Sequence, residues 1–258
     1  MVKPLLRIVI PTYNRSERIK TLICRLELSS KHPLVQVVVV DDFSRPEERE
    51  YLRILADEFK SVRFEFLSRN SGGGGARNAG ALIGDAEWVW FVDDDDILSS
   101  ETVLGVVDVI ATTCENDRLV FLCANFINEG SVNKVVPNGR DIFKAFSRYG
   151  NEINTSCAIF NFELFKQLGG WDENLVAGQD TDLLLRASEL TDAVVLAQFS
   201  VDIIQDGTDR ITTNPKKQMI GKAQFLKKHY KRLFYLRSLR YLVTLLAGYP
   251  YLRRLLNK

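Results

Sequence analysis

Trp88-Val89-Trp90-Phe91-Val92-Asp93-Asp94-Asp95-Asp96 sets five apolar residues directly against four carboxylates. The apolar part does not alternate with polar residues, so it reads as a strand buried on both faces, the usual state of a parallel strand. The same form recurs upstream. Leu5–Ile10 runs into Pro11-Thr12-Tyr13-Asn14-Arg15, and Val35–Val40 stops at Asp41-Asp42-Phe43-Ser44. Val62–Leu67 is followed by Ser68-Arg69-Asn70 and the glycine run Gly72–Gly75. Between these strands lie helical patterns. Ser16–Leu28 carries Ile19, Leu22, Ile23 and Leu26 on one side, Pro46 opens a helix to about Phe59, and another spans about Ala76 to Ile83.

Downstream, Ser99 or Ser100 can cap a helix that continues to about Cys114. Leu119–Ala124 reads as a fifth strand, and Asn125–Gly150 as a hairpin followed by a short helix. Thr155–Phe160 reads as a strand, Phe162–Leu168 as a helix, Gly169-Gly170-Trp171-Asp172 as a turn, Thr181–Leu190 as a helix, and Ala193–Ile204 contains a strand. Strands alternating with helices at this spacing predict an α/β protein with a mostly parallel, doubly wound sheet. There are no internal repeats.

The 258 residues fit one large α/β domain with a small appendage. Net charge is +1, yet Arg210–Lys258 holds thirteen Lys or Arg and no Asp or Glu, which leaves 1–209 with twenty-one basic and thirty-three acidic residues, a net of −12. Such a split predicts that the tail meets an anionic surface. The four cysteines (Cys24, Cys114, Cys123, Cys157) lack metal-type spacing and no secretory signal precedes the first strand, which predicts free thiols in a reducing cytoplasm. Two histidines, His32 and His229, exclude a multi-histidine metal site. No apolar run reaches membrane-spanning length; the longest candidate, Leu242–Leu252, is interrupted by Gly248 and Pro250.

In open parallel sheets, ligands bind beyond the carboxyl ends of the strands, where four consecutive strands here deliver polar groups. The aspartate run has two readings, a solvated acidic loop that caps the next helix or a cradle for a hard divalent cation and phosphate oxygens. Its place after a buried strand favours the cation. Asn70–Gly80 (NSGGGGARNAG) allows close backbone approach before a helix N-terminus, although glycine richness alone is also the mark of a flexible loop. It lacks the Lys-Ser/Thr ending of a P-loop. Arg77 within it can pair with phosphate or a base carbonyl. Asp41 and Asp42 are either turn residues or acceptors for a base or ribose. Asp180 and Asp182, in Gly178-Gln179-Asp180-Thr181-Asp182, can cap the following helix, and one of them can also serve as a proton acceptor.

Five segments in this order resemble the family 2 glycosyltransferases with the A-type nucleotide-sugar fold: IVIPTYNR at 8–15, VVVVDDFS at 37–44, NSGGGGARNAG at 70–80, WFVDDDD at 90–96 and GGWDENLVAGQDTDLLLRA at 169–187. The resemblance covers about residues 5–210. It implies an inverting, metal-dependent hexosyl-type transfer from a nucleoside-diphosphate sugar, with UDP the expected nucleotide, to a glycan or lipid-linked oligosaccharide hydroxyl. It also implies work on a bacterial surface polysaccharide such as O-antigen, other lipopolysaccharide or capsule. By position it puts Pro11, Tyr13, Arg15, Asp41, Asp42, Gly74, Arg77, Asp93 and Asp94 at the nucleotide sugar. Asp95 with Asp93 would hold Mn²⁺ or Mg²⁺, Asp96 would only shape the loop, and Asp180 would be the general base.

Two departures from the family pattern stand out. Gln179 replaces the common Glu before the base, and no late histidine is available to the metal. Gln179, Asp182, Gln205, Asp206 and Asp209 are therefore the candidates for the acceptor site or the rest of the metal shell. The Gln-X-X-Arg-Trp motif of processive members is missing, which implies single additions.

The expected organisation is a catalytic domain over 1–212, with a nucleotide-sugar half to about 97 and an acceptor half over about 98–212, followed by a basic amphipathic helical tail over 213–258. Alternating basic and apolar clusters in the tail suit peripheral contact with an anionic membrane at the inner face of the plasma membrane; the bland alternative is a helical pair packed on the catalytic domain. Nucleic acid is not an expected partner of so acidic a body. Two rival functions remain, a sugar nucleotidyltransferase and a non-catalytic nucleotide-sugar binding module. The first would place its glycine signature after strand one, where PTYNR stands, and the second would not need Asp180 beside a full metal motif.

Overall fold

Side chains alternate across a strand, and this alternation sorts the apolar residues of the central strands into two cores. Ile8, Ile10, Val37, Val39 and Trp90 face one layer of helices, while Val9, Val38, Val40, Val89 and Phe91 face the other. Both sets are almost wholly buried, so the unbroken apolar runs correspond to a sheet covered on both sides. The structure is a computed structural model and describes residues 3–112, 120–127, 131–134, 154–203 and 215–235.

Strand β1 (Leu6–Thr12) pairs in parallel with β2 (Val35–Asp41) on one side and β4 (Trp88–Phe91) on the other. β3 (Val62–Phe66) lies parallel beyond β2. β7 (Ala158–Asn161) runs antiparallel to β4 and to β5 (Val120–Ile127), while β5 also pairs antiparallel with β6 (Ser131–Lys134) and parallel with β8 (Ala193–Ile203). The order is β3-β2-β1-β4-β7-β5-β6, with β8 on β5. The chain moves outward from β1 to β3 and then returns to the other side of β1 as β4. The carboxyl ends of β1 and β4 therefore flank a topological switch point, the usual ligand crevice of such sheets.

Helices α1 (Ser16–Arg25), α2 (Glu27–Ser30), α3 (Pro46–Glu58) and α5 (Ser100–Ala111) cover one face. The other face carries α4 (Gly72–Ala81), α6 (Phe162–Gln167) and α7 (Gln179–Ala187). Ser99 is the residue that caps α5, its hydroxyl accepting from the Thr102 N–H.

Four local features differ from the sequence expectation. The first helix bends into two at Leu26. Helix α4 starts at Gly72, so the glycine run is its first turn rather than a loop before it. Thr155–Cys157 is a 3₁₀ turn, and only Ala158–Asn161 is strand, antiparallel to its neighbours. Helix α7 begins two residues earlier than the pattern suggests, behind Gly178 in a left-handed conformation, and neither aspartate supplies its cap. The β5–β6 pairing matches the expected hairpin; the short helix expected after it, and Cys114, lie outside the described residues.

Helix α8 (Pro215–Tyr235) docks on α7 and on the segment before it, with Phe225 and His229 buried. No helix among the described residues is long and apolar enough to cross a membrane.

Candidate active site

The four aspartates divide into two groups because β4 ends and the chain turns. Asp94 points back to β1: Thr12 Oγ1 donates to it at 2.8 Å, and Arg15 Nη1 lies at 3.0 Å. Burial pushes Asp94 up to about 6, against the opposing pull of Arg15 and Thr12. It ties the two strand ends at the switch point together. Asp93, Asp95 and Asp96 each offer an oxygen, all within 4.8 Å of one another. Three close, hard oxygen donors fit a divalent cation, and their mutual repulsion would be relieved by one. Arg15 and Arg18 approach Asp95 at 3.7 and 3.6 Å and offset part of that repulsion.

Asp96, expected only to shape the loop, joins Asp93 and Asp95 in this group. It is held by Ser156, whose hydroxyl donates to Asp96 Oδ2 at 2.5 Å and accepts from the Asp93 N–H at 2.9 Å. Ser156 is fully buried, and its carbonyl accepts from Trp90 Nε1 at 2.8 Å. The 3₁₀ turn before β7 thus braces the carboxylate group from behind. Nothing in the sequence around Ser156 marks it. Arg18, by contrast, follows Arg15 by three residues on α1, a spacing that places two cations on one helix face.

At the end of β2, Asp41 is buried and committed. It accepts from the Ser44 N–H at 3.2 Å and forms an ion pair with Arg49 at 3.1 Å. Asp42 reaches towards α4: its Oδ1 accepts from the Ser71 N–H at 2.6 Å, and its carbonyl accepts from Asn70 Nδ2 at 3.0 Å. Burial raises the Asp42 carboxyl, and the Ser71 and Gly72 N–H groups partly oppose it. Asn14 and Phe43 both adopt positive φ, 56° and 64°. Asn14 clips the two strand ends together, accepting from Arg45 N and donating its own N–H to Ser44 Oγ, each at 2.8 Å. This strained pair leaves Tyr13 and Phe43 half exposed at the rim. Pro11 is half-buried in β1, level with Val40.

Helix α4 brings the glycines and Arg77 to the same edge. Arg77 Nη2 donates to Asp93 at 2.5 Å, and the guanidinium lies over Trp171 at 4.9 Å. Gly74 is small because of Gln179: a Cβ there would stand 2.7 Å from Gln179 Nε2. Asn78 holds Trp171 by both backbone groups, accepting from its N–H and donating to its carbonyl, each at 2.9 Å.

Trp171 opens the segment that leads to Asp180. Gln179 closes that segment on itself, donating to the carbonyls of Asp172 and Leu175 at 3.1 and 2.9 Å. Asp180 accepts from the Thr181 N–H at 2.7 Å. Burial raises its carboxyl from the ordinary value, the Thr181 N–H and Arg77 oppose the rise, and Asp93 adds to it. Gln179, the residue before it, lies against Gly74, one turn before Arg77 on α4.

Asp182 has a different place from the acceptor or metal shell that the sequence allows. It is fully buried and faces away from the edge, between Arg186 at 2.6 Å, Lys228 at 2.8 Å and His229 at 2.6 Å. With Arg186, Lys228 and His229 on its two oxygens, it anchors α8 to α7. Gln205, Asp206 and Asp209 lie outside the described residues.

The sheet order and the groups collected at its carboxyl edge define the A-type fold of enzymes that transfer sugars from nucleotides. The family model described as Glycosyl transferase family 2 matches residues 7–169, and the chain belongs to that family of glycosyltransferases. An uncharacterized glycosyltransferase of Haemophilus influenzae is 24% identical over 98% of this chain and 87% of its own length. The amylovoran biosynthesis glycosyltransferase AmsB of Erwinia amylovora is 28% identical over 71% of this chain and 64% of its own. The putative colanic acid biosynthesis glycosyl transferase WcaA of Escherichia coli is 26% identical over 88% and 81%. Among solved structures, Staphylococcus aureus TarS 1-349 in complex with UDP-GlcNAc superposes with a TM-score of 0.66 at 19% identity, covering 87% of this chain and 67% of that one. The mannosyltransferase PcManGT of Pyrobaculum calidifontis, in complex with GDP-Man and Mn²⁺, gives a TM-score of 0.62 at 16% identity over 88% and 65%.

Proposed function

We propose that this glycosyltransferase moves a hexosyl group, with inversion, from a nucleoside-diphosphate sugar to a hydroxyl of a glycan or lipid-linked acceptor in bacterial polysaccharide assembly. The observation that carries this is the gathering of Asp93, Asp95 and Asp96 with Arg77 at the carboxyl edge of the sheet, where Gln179, the neighbour of Asp180, lies against Gly74 of the helix that carries Arg77. Asp93, Asp95 and Asp96 would hold Mn²⁺ or Mg²⁺, which when bound neutralises the leaving diphosphate. Arg77, which pairs with Asp93, would offer its guanidinium to a phosphate of the donor. Tyr13 and Phe43 at the rim, with Asp42 behind them, receive the base, while Asp41 and Asp94 hold the strand ends in shape. Gly74 lets the first turn of α4 approach the donor and Gln179 without a side chain in the way.

Asp180 accepts the proton of the acceptor hydroxyl as that oxygen attacks the anomeric carbon and the bond from that carbon to the diphosphate breaks on the opposite side. A carboxyl raised by burial is a better proton acceptor than an exposed one, at the cost of being fully ionised only above its raised value.

UDP is the proposed nucleotide; the likeness to TarS, solved with UDP-GlcNAc, supports it, and PcManGT with GDP-Man marks the other choice. AmsB and WcaA, named for amylovoran and colanic acid biosynthesis, support the polysaccharide setting. The proposed organisation is a catalytic unit over 1–212 and a basic extension over 213–258 that meets anionic lipid at the cytoplasmic face of a membrane, an acceptor-rich place to work. A thermal-shift and nucleotide-release panel of UDP-glucose, UDP-galactose, UDP-N-acetylglucosamine and GDP-mannose, with and without Mn²⁺, tests the reading. Stabilisation and slow release of UDP that need Mn²⁺ are expected. No response to any donor would overturn the catalytic reading, and a response to GDP-mannose alone would overturn UDP.

A further inference from the structure

Helix α8 presents one stripe of residues to the segment that precedes Asp180. Gly221, Gln224, Phe225, Lys228 and His229 are spaced by three and four, so they share a helix face. Gly221 sits against Ala177 so closely that a Cβ would fall 2.6 Å from the Ala177 Cβ and 2.8 Å from its backbone N and O. Gln224 binds the backbone on both sides of Leu175: its Oε1 accepts from the Val176 N–H at 3.0 Å and its Nε2 donates to the Asn174 carbonyl at 2.8 Å. Lys228 Nζ joins Asp172 at 2.5 Å to Asp182 at 2.8 Å. Phe225 and His229 are buried beneath, their rings 4.7 Å apart.

The other side of the same segment is held by the catalytic domain. Asn78 of α4 grips Trp171 and donates to Glu173 at 2.9 Å, and Gln179 binds the carbonyls of Asp172 and Leu175. Residues 171–178 are therefore clamped between α4, which carries Arg77, and α8, which comes from the basic extension. The segment ends at Gly178, in a left-handed conformation two residues before Asp180. A backbone that would otherwise be a free loop is fixed at both of its walls, and the carboxylate it delivers has to be placed to a fraction of an ångström for proton transfer.

We infer that Gln224 and Lys228 of α8 are positioning residues for the transfer step, acting through the 172–178 segment to set Asp180 against the acceptor hydroxyl. The inference rests on the reading of Asp180 as the base. Their polar contacts run to Asn174, Val176, Asp172 and Asp182 rather than to the aspartate group or Arg77, so their loss is expected to act on turnover rather than on nucleotide binding.

The test uses full-length Gln224→Ala, Lys228→Met and Lys228→Arg beside Asp180→Asn, assayed with whichever of UDP-glucose, UDP-N-acetylglucosamine or GDP-mannose the wild-type chain turns over fastest with Mn²⁺. Gln224→Ala and Lys228→Met are expected to lower kcat at least about tenfold with donor KM within about twofold, while Lys228→Arg, which can still bridge two carboxylates, recovers most of the loss. Calorimetry with the matching nucleoside diphosphate and Mn²⁺ reports whether each variant retains a folded donor site. Unchanged kcat in variants that bind the nucleotide normally would overturn the inference. So would a loss confined to donor KM, or a Lys228→Arg as poor as Lys228→Met. If Asp180→Asn itself turns over like wild type, the base reading fails first, and that result is separate from the behaviour of the α8 variants.

Discussion

Gly80→Ala asks whether α4 is seated against the sheet as closely as the structure shows. In an open helix, the change would stabilise by roughly 0.8–1 kcal/mol through helix propensity. Here a Cβ would lie 2.4 Å from Val9 Cγ1 and 2.8 Å from Val40 Cγ2. Ordinary carbon–carbon contact is about 3.5–4.0 Å, so α4 would have to lift by about 1 Å. Val9 and Val40 are fully buried on β1 and β2, neighbouring strands covered on both faces, and have nowhere to withdraw. Overpacking of this kind costs about 1–3 kcal/mol, which exceeds the propensity gain.

The expected net loss is about 0–2 kcal/mol, or up to roughly 8 °C in Tm for a chain of this size. Arg77 stands one turn earlier on the same helix. A displacement near 1 Å at a positioned group can cost about 100-fold in rate, so Mn²⁺-dependent nucleotide release should fall more than stability does. Val9→Ala removes the nearest methyl in conflict and leaves that of Val40, and the double variant should recover about 1 kcal/mol relative to the sum of the singles. Thermal unfolding and nucleotide release on the four proteins decide the matter. A Tm for Gly80→Ala above that of wild type would refute the close seat of α4.

Asp182→Ala should cost about 3–5 kcal/mol, read by denaturant unfolding, because it strands Arg186, Lys228 and His229 around an empty buried site. Burial opposes the Asp182 charge, but the hydrogen bonds from His229 and Lys228 and the charge of Arg186 outweigh it and hold the carboxyl well below its ordinary 3.8. A depressed carboxylate adds stability that is complete above the ordinary value and lost as pH falls towards the depressed one. Wild type should therefore lose stability below about pH 4 more steeply than Asp182→Asn, and parallel acid titrations would contradict the buried cluster. Asp95→Ala and Asp96→Ala should each weaken Mn²⁺-dependent binding of nucleoside diphosphate at least about tenfold by calorimetry. Asp94→Asn should instead lower Tm and leave the Mn²⁺ dependence in place, because Asp94 is spent on Thr12 and Arg15.

The parts of this molecule that sequence reveals are those where one local cause dominates. Val35–Val40 and Trp88–Val92 can only be strands buried on both faces, and the polar residues that stop them must sit at the carboxyl edge, so the crevice and most of its residues are legible. Gly72–Gly75 reads as a loop because glycine disfavours helix, yet it opens α4. Packing overrides propensity where Gln179 and Ser71 leave no room for a Cβ at Gly74 and Gly75. The direction of β7 is illegible for another reason: a four-residue apolar strand is the same pattern read either way. The division of labour among the aspartates depends on which way each carboxylate turns, decided by Thr12, Arg15 and Ser156 from distant parts of the chain. The stripe on α8 is visible as a period, but its partner is a loop some fifty residues earlier that no local pattern points to.

The claim on which the rest depends is that Asp180 takes the proton of the attacking hydroxyl. Asp180→Asn keeps the shape and the acceptor oxygen for the Thr181 N–H but cannot act as a base. Measured in the full-length chain with the preferred donor and Mn²⁺, it should bind nucleoside diphosphate within about twofold of wild type and lose roughly 10²–10⁴-fold in kcat. Turnover within tenfold of wild type, with nucleotide binding intact, would contradict it.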